Sequence, residues 1–263
     1  FLLASVVAAF LLSAPMTARA DDDKDKEAET LAARSGKALR YSIKTVDPPS
    51  SIETGGAAIL INAPAQIETV NYYYNPQKVE GALLAEYPLP EQRPINTAHA
   101  EAALERIVAR HTRIYAILWA TQESDPERFI EGWLDRRCYK AMDSWFGNVR
   151  LAVYAVPIAP AGQIAHPADD TLGQGIRFLG HTLLTPQLRP GDILQLTLFW
   201  QATAPIAERY KVFVHLVNAQ GRIVAQRDSE PVGDSRITTA WPVGEVIADN
   251  YGLAIPPETP PGE

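Results

Sequence analysis

The chain has 263 residues, of which 46% are hydrophobic, and its formal net charge is −7. A chain of this length can bury about 70% of the surface that it exposes when unfolded, in one or two ordinary domains. The acidic balance argues against a nucleic-acid partner, which would require a basic patch or stripe. The single cysteine, Cys138, excludes an internal disulfide and a zinc site made of several cysteines.

The N-terminal stretch "FLLASVVAAFLLSAP" is a run of about fifteen mostly apolar residues. Residues 1–20 are predicted to be the end of a transmembrane helix, because a full span needs about 20 residues. The alternative is the core of a signal peptide, with "ARA" before Asp21 as a cleavage-like site. Both interpretations place the chain after Asp21 outside the cytoplasm. In a third interpretation the stretch is an apolar helix buried in a soluble core, but no other segment is evident as the partner of such a helix. Since the chain begins with Phe and stops within "PPETPPGE", we expect a fragment at both ends.

Residues 21–54 are predicted to form an acidic connector, helical or irregular, that begins with the solvated stretch "DDDKDKEAE". Between residues 55 and 157, strand patterns alternate with helix patterns. The strand patterns are "AAILI", "ALLAEYPLP" and "RIYAILWA", each short, apolar and followed by a turn or a helix signal. Helices are predicted to begin at Pro64, at Asn96 or Thr97, and at Ser124 or Asp125.

The stretch "CYKAMDSWFGNVRLAVYAVP" predicts a closing hairpin around Gly147-Asn148. Strands that alternate with helices indicate an α/β layered domain with a mostly parallel sheet. Residues 158–175 are rich in Pro, Gly and Ala and show no periodicity, which predicts a linker. Residues 176–263 show only short strand patterns separated by turns. They indicate an all-β sandwich of immunoglobulin-like architecture that is incomplete at its C-terminus.

The stretch "RYKVFVHLVNAQGRIVAQRD" predicts a hairpin within this sandwich. Alternation along the first arm places Val212, Val214 and Leu216 on one face and His215, with Lys211, on the less apolar face. Asp228 at the end of the second arm is interpreted as a loop cap. The hairpin is therefore not predicted to be catalytic.

The chain lacks the standard phosphate-loop, zinc-protease, nucleophile-elbow and paired-cysteine motifs. Its histidines are scattered without ligand spacing, so neither a metal nor a cofactor is expected. Acidic residues near Trp241 could do glycoside chemistry if two of them were about 5–10 Å apart. Unpaired carboxylates are nevertheless common in the loops of acidic β proteins, and no catalytic residue is assigned. The acidic residues are Asp228, Glu230, Asp234 and Glu245.

Sugar binding fits the same region better than catalysis does. Aromatic faces stack on sugar rings, while carboxylates and amides accept hydrogen bonds from hydroxyl groups. Trp241, Tyr251, Asp249 and Asn250 are predicted to form such a surface. The alternative is that Trp241 packs over the edge of the sandwich.

Two stretches carry a resemblance to a known family. They are "LTLFWQATAPIAERYKVFVHLVNAQGRIVAQRDSEPVG" and "TTAWPVGEVIADNYGLAIPPETPPGE". They resemble the C-terminal extracytoplasmic region of bacterial multi-spanning glycosyltransferases, similar to the protein-mannosyltransferase-like members of the GT-C class. The β pattern of that region is matched from Gly191 to Gly262, and the chain stops before the last hairpin of the pattern. The upstream stretches "AILINAPAQIETVNYYY" and "RIYAILWATQESDPERFIEGWL" also resemble the segment after the last membrane span.

The resemblance implies a parent enzyme that transfers a sugar from a polyprenyl-phosphate donor. In that class the catalytic acids lie in an early extracytoplasmic loop that has no counterpart here, so this chain is expected to be a non-catalytic part that supports the enzyme or recognises the acceptor. It would be anchored to the membrane by the N-terminal apolar segment, with its soluble part in the periplasm or at the cell surface. Its expected partners are the membrane and a glycan or lipid-linked sugar acceptor. The alternative is a secreted carbohydrate-binding β-sandwich protein with a cleaved signal peptide.

Overall fold

The computed structural model describes the backbone of residues 5–12, 38–40 and 44–45. It describes residues 56–63, 67, 68, 70, 84–160, 162–173, 175–185, 187–218 and 220–259 in full. The chain divides into two compact units. We call Pro49–Ile158 the central unit, and Phe1–Pro48 together with Ala159–Glu263 the terminal unit. The described residues are mostly β structure with few helices.

The helices are α1 (Thr97–Val108), α2 (Thr121–Ser124) and α3 (Phe129–Arg137), and a 3-10 turn spans Thr238–Ala240. The strands in chain order are β1 (Ser5–Leu12), β2 (Ala38–Arg40), β3 (Lys44–Thr45), β4 (Ala57–Asn62), β5 (Ala85–Pro88), β6 (Arg113–Leu118), β7 (Tyr139–Phe146), β8 (Val149–Ala155), β9 (His166–Leu172), β10 (Ile176–Leu183), β11 (Gln187–Leu188), β12 (Ile193–Ala202), β13 (Tyr210–Val217), β14 (Ile223–Ser229) and β15 (Val246–Ala254).

The central unit contains a mixed sheet with the strand order β5-β4-β6-β8-β7. Strand β4 is parallel to both β5 and β6, whereas β8 is antiparallel to β6 and to β7. The three parallel strands are those with predicted strand patterns, but the sheet is mixed and not mostly parallel as predicted, because the hairpin strands join it antiparallel. The antiparallel pair is the predicted hairpin, and Gly147 adopts the positive φ of 63° that its two-residue turn requires.

Helix α1 begins where its cap was predicted. The side chain of Asn96 accepts a hydrogen bond of 3.1 Å from the backbone N–H of His99, which satisfies one of the free donors of the first turn. The buried face of the helix carries Ala100, Ala103, Leu104 and Ile107. The last three of these belong to one core cluster with residues of β4, β6, β8 and α3. Each fully buried Leu or Ile contributes about 1.5–3 kcal/mol to folding.

Helix α3 begins later than predicted. A helix from Ser124 or Asp125 was expected, but Arg128 has a left-handed backbone (φ 54°), and the regular helix starts only at Phe129. Asp125 still caps it, because its carboxylate accepts hydrogen bonds from the backbone N–H groups of Phe129 (2.8 Å) and Ile130 (2.9 Å). Residues 121–124 form the separate short helix α2. The sequence therefore identified the capping residue but not the interruption that follows it.

The terminal unit is built from antiparallel pairings in the orders β15-β12-β10-β9 and β14-β13-β1-β2, with a short parallel pair formed by β11 and β3. One core cluster contains the predicted apolar face of β13, namely Val212, Val214 and Leu216. The same cluster contains alternate residues of β12: Leu194, Leu196, Leu198 and Trp200. The predicted orientation of β13 is therefore confirmed.

The predicted linker, residues 158–175, contains a strand. Strand β9 pairs with β10 across a bulge between Phe178 and Gly180. Gly180 has a φ of 134°, and a Cβ there would collide with the backbone of His166 and Pro167. Strand β9 lies at the end of its strand order and exposes most of its side chains, so it shows no apolar periodicity. For this reason the sequence pattern indicated a linker.

Where the structure describes the apolar N-terminal stretch, the stretch is a strand and not the expected helix. Ser5–Leu12 form strand β1, which pairs antiparallel with β13 from Ser5 opposite Val217 to Leu12 opposite Tyr210. Within the described parts of the chain, no helix is long and apolar enough to cross a membrane. Residues 1–4 and 13–37 lie outside the described residues, as does most of the predicted connector. The transmembrane and signal-peptide interpretations stay predictions.

Candidate functional site

The four residues predicted to bind sugar are buried. Trp241 is 5% exposed, Tyr251 1%, Asp249 0% and Asn250 8%. The Trp241 indole Nε1–H donates to the backbone oxygen of Arg236 (3.1 Å), and the Asn250 side chain accepts from the hydroxyl of Thr197 (2.8 Å). Sugar binding by these residues stays a prediction, but none of the four offers a free face. Trp241 packs in the core cluster of the terminal unit, as in the alternative interpretation.

The carboxylate of Asp249 is the centre of a buried hydrogen-bond network. One oxygen accepts from the Trp200 indole Nε1–H (3.1 Å) and the Tyr251 hydroxyl (2.8 Å), and the other accepts from the backbone N–H of Val232 (2.7 Å). Burial raises the pKa of Asp249 to about 7, because desolvation outweighs three hydrogen bonds that favour the charged form. Burial, with the nearby Asp249, also raises the pKa of Tyr251 well above its ordinary value. The network stabilises the core of the terminal unit.

The network includes a strained backbone position. Val232 is buried and has a φ of 55°, a left-handed conformation that a β-branched residue rarely adopts. Asp234, also left-handed at φ 71°, accepts a hydrogen bond of 2.8 Å from the backbone N–H of Glu230. This turn presents the N–H of Val232 to Asp249. The motif "SEPVGDS" therefore forms a turn that completes the core network.

The remaining carboxylates near Trp241 each contact a side chain. Glu245 forms a double hydrogen bond with Arg236, at 2.8 and 3.0 Å, and Glu230 one with Arg209, at 3.2 and 2.5 Å. Asp228 lies 3.1 Å from His215 Nε2, so it contacts the facing strand of the hairpin instead of capping a loop. Glu230 and Glu245 are therefore partners in ion pairs with arginines.

A pocket in the central unit is the candidate functional site. Its volume is about 390 Å³, within the range of roughly 300–1,000 Å³ that small-molecule sites occupy. It is lined by residues 118–122, Glu131, Trp145, Asn148 and Arg150. The first of these segments follows β6 directly, and the last three residues belong to the β7–β8 hairpin.

The pocket lies at the end of the sheet where β6 ends and β8 begins, since Leu118 of β6 is paired with Arg150 of β8 and both residues line it. Strand β4 is the parallel neighbour of β6 on the other side. Residues 119–122 lie just beyond the carboxyl end of β6. The Ser124 hydroxyl donates a buried hydrogen bond of 2.8 Å to the side chain of Asn62, the last residue of β4. The two strand ends are thereby joined beside the pocket.

The floor of the pocket is a cluster of ion pairs around Glu131. One carboxylate oxygen of Glu131 contacts Arg150 Nη2 and Lys140 Nζ (3.1 Å), and the other accepts two hydrogen bonds from Arg128. Lys140 Nζ also lies 2.7 Å from Asp135, and Arg150 Nε lies 3.0 Å from Asp143. Within the described residues the cluster therefore joins three carboxylates to three cations: Glu131, Asp135 and Asp143 to Arg128, Lys140 and Arg150.

The cluster is extended by Tyr154, whose hydroxyl donates a hydrogen bond of 2.8 Å to Asp135. Burial, with the neighbouring Asp135, raises the pKa of Tyr154 well above its ordinary value, so the phenol stays a hydrogen-bond donor. Burial also raises the pKa of Cys138 to about 12, which keeps its thiol protonated and unreactive. The described residues contain no group of three His, Cys, Asp or Glu that could hold a metal.

Sequence reasoning missed this pocket because its parts are separated along the chain. Glu131 and Asp135 are four residues apart on α3, a spacing that puts both carboxylates on one helical face. Both are buried, which is unusual for acidic residues without cationic partners. Two of the three cationic partners, Lys140 and Arg150, lie in the hairpin, and only the fold shows that the helix and the hairpin meet.

Comparison of the chain with protein-family models, with curated proteins and with solved structures gives no match.

Proposed function

We propose that this chain is the C-terminal extracytoplasmic part of a bacterial membrane glycosyltransferase of the GT-C class that uses a polyprenyl-phosphate-linked sugar donor. In this proposal the chain is not catalytic itself; it supports the enzyme or recognises the acceptor. The supporting observation is the Asp249 network. Three residues from the two stretches that carry the resemblance, Trp200, Val232 and Tyr251, donate to the same buried carboxylate, that of Asp249. A residue pattern that builds one particular buried network identifies a family better than the alternation of strand residues does, because many secreted β modules share that alternation.

The proposal includes a finer description of both units. The central unit is an α/β layer, supported by the core cluster that joins α1 and α3 to β4 and β6. The terminal unit is an immunoglobulin-like sandwich, supported by the cluster that joins β10, β12 and β15 to β13. Residues 176–263, for which short strand patterns were predicted, contain strands β10 to β15.

One observation opposes the membrane part of the proposal. Ser5–Leu12 pair with β13, and a segment cannot be a strand of this sheet and a helix across a bilayer at the same time. The proposal therefore requires that this stretch leaves β13 when the chain is in its membrane. The secreted alternative has the same requirement, because a cleaved signal peptide would also remove β1.

A transfer assay tests the division of labour. The purified chain is incubated with a polyprenyl-phosphate-linked hexose and a peptide or glycan acceptor, and product is measured by mass spectrometry. We expect no product above the rate without protein, because the proposed chain lacks the catalytic loop of the family. Sustained turnover by the chain alone would contradict the proposal.

A further inference from the structure

We propose that the pocket beyond β6 binds a neutral saccharide unit between two tryptophans. This site differs from the predicted surface around Trp241. It also stands apart from the transferase proposal, since a secreted protein could carry the same pocket. Absence of glycan binding would not contradict the transferase proposal, and turnover in the transfer assay would not contradict saccharide binding in the pocket.

The aromatic residues of the pocket provide the first argument. Trp119 and Trp145 both line it, and Trp145 is 66% exposed at the tip of the hairpin. An indole ring has an electron-rich face that attracts the C–H groups of a sugar ring. The Arg150 guanidinium lies 5.8 Å from the centre of the Trp145 ring, a cation–π contact that helps to hold the ring in place.

The polar lining provides the second argument. Thr121, Gln122 and Asn148 bring a hydroxyl and two amides to the pocket, and these groups can both donate and accept hydrogen bonds. Sugar hydroxyls have the same dual character. A cavity of about 390 Å³ with aromatic and amide walls fits a sugar unit better than a purely apolar ligand.

The charge balance of the floor decides which sugars fit. Arg150 lines the pocket, but its guanidinium already contacts the carboxylates of Glu131 and Asp143. Glu131 is likewise engaged by three cations: Arg128, Lys140 and Arg150. An acidic or basic ligand would have to compete with these pairs and would leave a buried charge uncompensated, which is strongly unfavourable. The pocket is therefore selective for uncharged sugars.

The experiment is a glycan array probed with the full chain. The array carries neutral oligosaccharides of hexoses, N-acetylhexosamines and deoxyhexoses, together with uronic-acid and phosphorylated glycans. We expect retention on neutral glycans only, and titration of the best one should be followed by tryptophan fluorescence. Retention on no neutral glycan, or preferential retention on charged ones, would overturn the inference.

Two matched variants locate the binding. Trp145→Ala removes a pocket wall, whereas Phe146→Ala removes its neighbour on β7, which is 63% exposed and does not line the pocket. We expect at least a tenfold loss of affinity in the first variant and less than a twofold change in the second. Both aromatics are exposed, so both variants should melt within a few degrees of the parent chain. Equal affinity in the two variants, or equal loss in both, would place binding elsewhere and overturn the inference.

Discussion

At the scale of single residues, the terminal unit depends on one carboxyl group. Asp249 is fully buried and accepts hydrogen bonds from an indole, a phenol and a backbone N–H. Because all three partners donate, the site requires an acceptor on both carboxyl oxygens. An amide cannot meet that requirement, since its nitrogen would face a donor.

This arrangement predicts an unusual dependence of stability on pH. The folded pKa of Asp249 is about 7, above the ordinary value of 3.8, so the folded chain holds a proton that the unfolded chain releases between about pH 4 and pH 7. The stabilising contribution of this group to the free energy of unfolding is at its maximum below pH 4. It falls as the pH rises, by up to about 1.4 kcal/mol per pH unit, and levels off above pH 7.

Asp249→Asn should remove the contribution of this carboxyl group to the slope of the free energy of unfolding against pH. It should also lower the free energy of unfolding at pH 5 by about 1–3 kcal/mol, the usual cost of a mismatched buried polar group. Urea unfolding followed by tryptophan fluorescence from pH 4.5 to 7.5 measures both effects. Tyr251→Phe serves as the control, because it keeps the carboxyl group and should keep the slope. An Asn variant with the slope of the parent chain would refute the assignment.

At the scale of elements, the sequence predicted those whose signals are local. The cap at Asn96 (one of two predicted residues), the two-residue turn at Gly147-Asn148 and the apolar face of β13 all follow from neighbouring residues, and the structure confirms them. Strand β9 was missed because one of its faces is exposed and the other is only partly buried, so the strand lacks an apolar period. The pocket was missed because it depends on contacts between α3 and the hairpin, which no local pattern encodes.

Helix α3 offers a test at this scale. Asp125 is 0% exposed and accepts from two backbone N–H groups at the start of the helix, so Asp125→Ala leaves two buried donors without a partner. We expect a loss of about 2 kcal/mol or more in the free energy of unfolding, near the upper end for cap removal. Glu127→Ala, an exposed neighbour, should change stability by less than about 0.5 kcal/mol. A near-neutral Asp125→Ala would show that the cap does not hold the helix start.

At the scale of the whole molecule, the sequence and the family resemblance predicted a functional surface in the β module, whereas the candidate pocket lies in the central unit. The residues of that pattern form the core of the terminal unit, and the open site with binding chemistry lies in the central unit. The sequence could predict the mainly β terminal unit from strand patterns. It could not predict that Trp241 is covered, because this residue follows a 3-10 turn and belongs to no strand whose alternation would orient it.

The proposed parent enzyme is tested most directly by the size and location of the native polypeptide. An antibody raised against residues 159–263 is used to probe the membrane, soluble and secreted fractions of cells that express the protein. The transferase proposal predicts a band well above 28.8 kDa that stays in the membrane fraction after carbonate washing and leaves it only with detergent. A band at or below that mass in the soluble or secreted fraction would contradict the proposal.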